Sequence, residues 1–299
     1  MVPRRDSVAI VGAGAMGAAL ARALDAARIP VAAVASRRMG RAESLAAELH
    51  GSAAVALDAV GGSAPVILLT VSDSAIEEVC ASIRPTGGAL VAHVSGFRDV
   101  GALEPARTLG ARVGSMHPLA AVARGDGAPR LSATECVATF QGAAFAIEGD
   151  DDVARRLSSI ATALGGNPFP IVASDKPLYH LGASMLAAFA GGLTQITWDG
   201  MRKAGAPNDI AISGSSHLLL TVARNIARTQ TPADALTGPV ARGDADGVRR
   251  QAQAAGALSR EAQDLYRMHA AHNIALVHGA GRIDDATAER LRAALRDSE

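Results

Sequence analysis

The first half of the chain sets short unbroken apolar runs between segments whose apolar residues recur three and four apart. The runs cover residues 7–11 (SVAIV), 31–36 (VAAVAS), 65–73 (PVILLTVSD), 89–96 (ALVAHVSG) and 111–119 (ARVGSMHPL), then 143–149 (AAFAIEG) and 167–173 (NPFPIVA). An unbroken run suits a strand covered on both faces. Helical patterns lie between them at 15–27, 40–49, 74–83 and 151–164. Strands alternating with helices predict a parallel sheet with right-handed crossovers.

After Ser174 the strand pattern stops. Helical periodicity covers roughly 175–204, 210–228, 244–255, 259–278 and 284–296. The expected division is therefore an α/β domain over 1–173 and an all-α domain over 174–299. The first of these late helices begins with Lys176 and carries no further Lys, Arg, Asp or Glu until Asp199. That is long enough to suggest a membrane span. Three glycines (182, 191 and 192) and the polar Ser184, Thr194, Gln195 and Thr197 argue instead for a helix buried in protein. Covering so apolar a surface calls for a second subunit, so a homodimer is expected.

Composition narrows the function classes. The 299 residues are 49% hydrophobic and 19% charged, enough for a large core and too apolar for global disorder. With 29 basic and 29 acidic residues the formal net charge is +0, which gives no support to nucleic-acid or membrane-surface binding. Cys80 and Cys136 are far apart and lack metal-ligand spacing, so they read as buried thiols in a reducing, cytoplasmic setting. The N-terminal stretch has Arg4 and Arg5 but no signal-peptide apolar region. His269, His272 and His278 have no acid or thiolate placed to complete a metal site, and no metal is expected.

The strongest local motif is VAIVGAGAMGAALARAL. It sets Gly12, Gly14 and Gly17 in GxGxxG spacing after a strand and at the head of a helix, with Ala13, Ala15 and Met16 between them. Gly12 permits the tight turn, Gly14 lets a pyrophosphate approach, and Gly17 lets the helix pack on the strand. The helix N-terminus then offers free amides to the phosphates. About 20 residues on, an NAD site would carry an acid on the ribose. Here the strand ends in Ser36, Arg37 and Arg38, a set that suits a 2′-phosphate, so NADP is the expected cofactor. Val71, Ser72 and Asp73 end a later strand where the same cofactor would run. Ser95 and Gly96 end the next, where a substrate oxygen could be held. His117 follows another strand and suits either a structural or a substrate-contacting role.

The order of these features, with a long helix opening on Lys-x-x-x-His, resembles the β-hydroxyacid dehydrogenase superfamily. That superfamily includes enzymes acting on 6-phosphogluconate, 3-hydroxyisobutyrate and ketopantoate. There the interdomain helix carries Lys-x-x-x-Asn and the lysine is the acid/base. Lys176 matches the lysine, whereas His180 stands in the Asn place. The stretches GSMHPL (114–119), FAIEGD (145–150), DKPLYH (175–180) and LTGPVARGD (236–244) carry a closer likeness. It is to a bacterial family of Rossmann-like oxidoreductases with a helical C-terminal domain of unknown function. The layout is similar to ketopantoate reductase and pyrroline-5-carboxylate reductase. The resemblance implies an N-terminal Rossmann fold, a doubly wound parallel sheet, followed by an all-α domain.

Residues four apart share a helix face, so Lys176, His180 and Ser184 form one polar line. If it faces the cofactor, Lys176 can polarise a carbonyl and protonate the alkoxide, with His180 orienting the substrate or sharing the proton transfer. Otherwise Lys176 sits at a domain junction and His180 bonds backbone. Arg242, in a turn between helices, is a candidate carboxylate clamp. The expected function is an NADP-dependent reductase of C=O or C=N in a small carboxylate-bearing substrate. The alternatives are a non-catalytic dinucleotide sensor and a deazaflavin-coenzyme reductase.

Overall fold

The structure, a computed structural model, describes residues 7–122 and 130–296. Arg4 and Arg5 lie outside the described residues. The chain divides into two compact units, Met1–Met185 and Leu186–Glu299.

The first unit is built on eight strands: β1 (Val8–Val11), β2 (Val31–Ala35), β3 (Ala53–Val55), β4 (Val66–Leu69), β5 (Leu90–His93), β6 (Arg112–Pro118), β7 (Ala144–Glu148) and β8 (Asn167–Pro170). They form one sheet in the order β3-β2-β1-β4-β5-β6-β7-β8. Its helices are α1 (Ala15–Ala26), α2 (Met39–Ala46), α3 (Ile76–Ser82), α4 (Glu104–Arg107), α5 (Ala133–Phe140) and α6 (Asp151–Ala163), with the first turns of α7 (Lys176–Lys203). Successive strand residues point to opposite faces, so each run feeds two cores. Val8, Ile10 and Leu68 pack with Leu20, Leu45, Phe140 and Leu157 from α1, α2, α5 and α6. Ala9, Val11, Ile67 and Leu69 pack with Ile76, Val79 and Ala106 from α3 and α4. This two-sided burial makes the sheet doubly wound and explains why the strands read as unbroken apolar runs.

The sheet is not wholly parallel. β7 pairs antiparallel to β6, and β8 follows β7. The connection decides this. The Leu119 amide donates to the Ala144 carbonyl at 2.8 Å, so β7 starts at the end where β6 stops. Between them α5 packs on α1, and Phe140 meets Phe145 with ring centroids 6.2 Å apart. The connection returns to the edge it left, so β7 has to run backwards. The short strand β3 on the open edge and the helices α4 and α5 are absent from the sequence-based reading of this unit.

The second unit comprises the rest of α7, then α8 (Asn208–Ile226), α9 (Gly238–Ala241), α10 (Ala245–Leu258), α11 (Arg260–Gly279) and α12 (Asp285–Arg296). Val240, Val248, Ile274, Val277, Leu291 and Leu295 form its core, drawn from α9 to α12. α8 buries only Ala211 and Ser215. Asp244 caps α10, accepting from the Gly247 amide at 2.8 Å. The expected domain boundary at 173/174 marks the end of the strands. The compact unit runs further because the first turns of α7 are held by side-chain bonds to the sheet.

Candidate functional site

The glycine turn joins β1 to α1 at the carboxyl edge of the parallel strands. Gly12 has φ +115°, and a Cβ there would lie 2.9 Å from the Thr70 carbonyl. A Cβ on Gly17 would lie 1.9 Å from the Gly12 oxygen and 2.4 Å from Thr70 Oγ1. Thr70 fixes the turn from β4: its hydroxyl donates to the Gly12 carbonyl at 2.7 Å, and its amide donates to the Val11 carbonyl at 2.8 Å. Gly14 is different, because nothing lies within 4 Å of its would-be Cβ. It is also the N-cap of α1, with no side chain capping the amides that follow. The three expected glycine roles are thus separated in space: conformation at Gly12, open approach at Gly14 and close packing at Gly17.

A cleft of about 1070 Å³ opens over this turn. Its walls include Gly12, Ala13, Gly14, Ala15 and Met16, then Ser36, Arg37, Arg38 and Arg41, and Val71 and Ser72. Asp73 opens a 3-10 turn beyond this lining. Among the described residues no acid lines the cleft. Arg22 and Arg130 meet Glu48, whereas Arg37, Arg38 and Arg41 have no acidic partner among the described residues. The Arg38 amide donates to Ser36 Oγ at 3.3 Å, which turns the chain so that both side chains face the cleft rim. A basic wall beside open helix amides is a site for phosphates.

A second cluster sits at the same edge, where β5 and β6 end. β6 is three strands from β1, about 14 Å at ordinary strand spacing. His93 ends β5 and is fully buried. Its Nδ1 accepts from the Ser95 amide at 3.2 Å, so Nε2 carries the proton and donates to the Asp99 carbonyl at 3.0 Å. Burial above all pulls its pKa down to about 4. Ser95 Oγ accepts from the amides of Phe97 and Arg98 at 3.1 and 2.9 Å, shaping the loop. Gly96 is there because nothing larger fits: a Cβ would lie 2.7 Å from the His180 ring and 2.8 Å from the His117 ring. The Gly96 amide has no partner among the described residues.

His117 Nδ1 and the Tyr179 hydroxyl are 2.8 Å apart, with the rings edge to face. Burial lowers the His117 pKa to about 4, helped by the neighbouring His180 and Lys176, and raises the Tyr179 phenol to about 12. Both groups are therefore neutral near pH 7. The His180 ring stands 5.8 Å from that of His117, and its Nδ1 is 3.3 Å from Ser184 Oγ. His180 and Ser184 thus pair as the helix spacing predicts.

Lys176 does not join that line. It is fully buried, and its ammonium donates to Glu148 Oε2 at 2.8 Å, Ser115 Oγ at 2.7 Å and the Arg98 carbonyl at 2.5 Å. An ammonium has three donors, and all are committed. This placement differs from a head group presented to a substrate. Burial lowers the Lys176 pKa, with Glu148 opposing the shift. Arg242 lies in the second unit, exposed at the end of α9 and without an acidic partner among the described residues. Sequence reasoning passed over Glu148, Ser115, His93 and Tyr179. Glu148 did leave a signal, as the one acid in the apolar strand AFAIE.

Residues 1–118 match the profile of a Rossmann-like domain, and residues 143–273 match that of a domain of unknown function, DUF2520. The chain joins a Rossmann-like domain to a DUF2520 domain. Ser95, Gly96 and His117 fall in the Rossmann-like segment, whereas Glu148, Lys176, Tyr179 and His180 fall in the DUF2520 segment. No curated protein matches the chain. Among solved structures, a Bacteroides fragilis protein provisionally assigned as an NADP oxidoreductase is 21% identical. The match covers 89% of this chain and 96% of that one, with a TM-score of 0.69. A Thermotoga maritima protein is 23% identical over 91% of this chain and 99% of that one, with a TM-score of 0.68. The pyrroline carboxylate reductase of Plasmodium falciparum, solved with NADP bound, is 14% identical over 98% of this chain and 99% of that one, at a TM-score of 0.59. At such identities the likeness is one of fold. Among the described residues no cluster of side chains is arranged for a metal, and no helix is long and apolar enough to cross a membrane.

Proposed function

We propose that the chain is an NADP-dependent reductase that delivers a hydride to C=O or C=N of a small carboxylate-bearing substrate. The observation that carries this reading is one sheet edge with two parts. At one end is an arginine-walled cleft over a glycine turn; at the other are two imidazoles and a phenol around a backbone amide that has no partner among the described residues. The cleft fits the dinucleotide. The open face of Gly14 and the first amides of α1 suit its pyrophosphate, and Ser36, Arg37, Arg38 and Arg41 suit a 2′-phosphate. NADPH supplies the hydride when bound.

The chain's own groups handle the substrate and the proton. The Gly96 amide and the Ser95 hydroxyl proton are donors for a carbonyl or carboxylate oxygen. His180, partly exposed and bonded only through Nδ1, has Nε2 free to give a proton to a developing alkoxide. Burial keeps the Tyr179 and His117 rings neutral, the bond between them holds them in place, and Gly96 leaves them room. Lys176 carries no proton in reach of a substrate.

The test is loss of NADPH absorbance against a panel of 2-oxo acids and a panel of cyclic imino acids. Turnover with members of one panel supports the reading and chooses between C=O and C=N. Tight NADPH binding with no turnover on either panel would favour a dinucleotide sensor instead.

A further inference from the structure

The first turn of α7 brings Tyr179 and His180 to His117, and a buried ion pair holds that turn. Lys176 is the one buried lysine or arginine among the described residues and the one buried residue of α7. Its three bonds reach three different parts of the sheet edge: Ser115 on β6, Glu148 at the end of β7, and Arg98 in the loop after β5. Glu148 stands opposite Ser115 in the β6–β7 register, and its Oε1 accepts from the Val100 amide at 3.4 Å. The register alone sets the carboxylate beside Ser115, level with His93 at the end of β5.

We propose that Glu148 and Lys176 are the positioning pair of this site: they lock the first turn of α7 onto the sheet so that Tyr179 and His180 meet His117, and neither exchanges a proton with the substrate. One helical turn separates Lys176 from Tyr179 and His180, so a shift of the anchored residue moves both rings. The catalytic part of this claim rests on the reductase reading; the structural part does not.

Buried pairs respond in a characteristic way. Removing one partner strands the other charge, whereas replacing both with apolar residues is tolerated. Lys176→Met alone and Glu148→Leu alone should each lower the melting temperature by roughly 10 °C. Each should also change the histidine nitrogen signals that report the His117–Tyr179 bond. The double variant Lys176→Met/Glu148→Leu should regain most of the melting temperature, the His117 signature and turnover to within about tenfold of the unmodified protein. A second pair, Lys176→Gln/Glu148→Gln, makes the same comparison should the apolar pair fail to fold.

If Lys176 were the proton donor, a double variant would fold, bind NADPH and keep the His117 signature, yet turn over about 10²–10⁴-fold more slowly. That result would overturn the proposal. If the unmodified protein reduces nothing, the reductase reading alone fails and the nuclear-resonance arm decides. A double variant that regains stability but not the His117 signature would then overturn the positioning role, and recovery of both would support it.

Discussion

Gly14 and Gly17 lie three residues apart in one turn, and a methyl group at each should fail in a different way. At Gly17 the new Cβ meets backbone at 1.9 Å, so Gly17→Ala should destabilise the protein by about 3 kcal/mol or more. At Gly14 the Cβ enters open space, and an N-cap tolerates Ala or Gly to within about 1 kcal/mol. Gly14→Ala should therefore melt normally while losing roughly tenfold in NADPH affinity, the worth of one charge-assisted contact. Melting curves and binding isotherms on the two variants check this; equal melting temperatures would contradict it. His93 gives a pH prediction at the same scale. Its folded pKa is near 4, below the 6.5 of an unfolded chain, so the neutral ring is what folding favours. Above pH 6.5 it contributes no pH dependence. As pH falls from 6.5 towards 4 the unfolded chain takes up the proton first, and stability drops by about 3 kcal/mol. Glutamine can donate and accept at the same two places without titrating. His93→Gln should flatten the fall in melting temperature over that window, and an unchanged slope would remove His93 as its source.

Among the elements, caps and connections matter more than propensity. Asp244 accepts from the Gly247 amide at the start of α10, and Asp244→Ala should cost about 1 kcal/mol, read as a lower melting temperature with the fold retained. Most helix ends were visible in the sequence: the pattern over 175–204 became Lys176–Lys203, and that over 284–296 became Asp285–Arg296. Apolar periodicity fixes such spans because burial enforces it. Strand direction is not encoded that way. AFAIE reads the same whichever way β7 runs, and only the packing of α5 on α1 turns it round. α5 itself has a capping box, Ser132 with Glu135, a signal that could have located it. β3 is three residues on an edge, too short for any period to show. The polar line on α7 was legible as a spacing, and His180 and Ser184 do meet. Spacing could not say that Lys176 at the head of that line would turn inward, because its partners Ser115 and Glu148 come from strands 61 and 28 residues away by numbering.

Over the whole molecule, the largest unexplained feature is apolar surface. On α7, Leu178 is 75% exposed and Leu186 73%, and on α8 Ile210, Leu218, Leu219 and Leu220 are all exposed. Patches of that extent on helices mark protein interfaces. We expect a second copy of the chain to cover them, so light scattering at micromolar concentration should read twice the 30.3 kDa chain mass. Leu219→Asp should shift that value down, and a monomer in the unmodified protein would remove the expectation. The central claim, however, is that this fold presents an NADP site built for reduction. The most direct measurement is a calorimetric titration of NADPH and of NADH into the unmodified protein and into Arg37→Ala/Arg38→Ala. Charge-assisted bonds to a 2′-phosphate are worth about 1.5–3 kcal/mol each, so NADPH should bind the unmodified protein at least roughly tenfold tighter than NADH. The double variant should lose that preference while its NADH affinity stays the same. Equal affinities in the unmodified protein, or a preference that survives the loss of both arginines, would contradict the assignment.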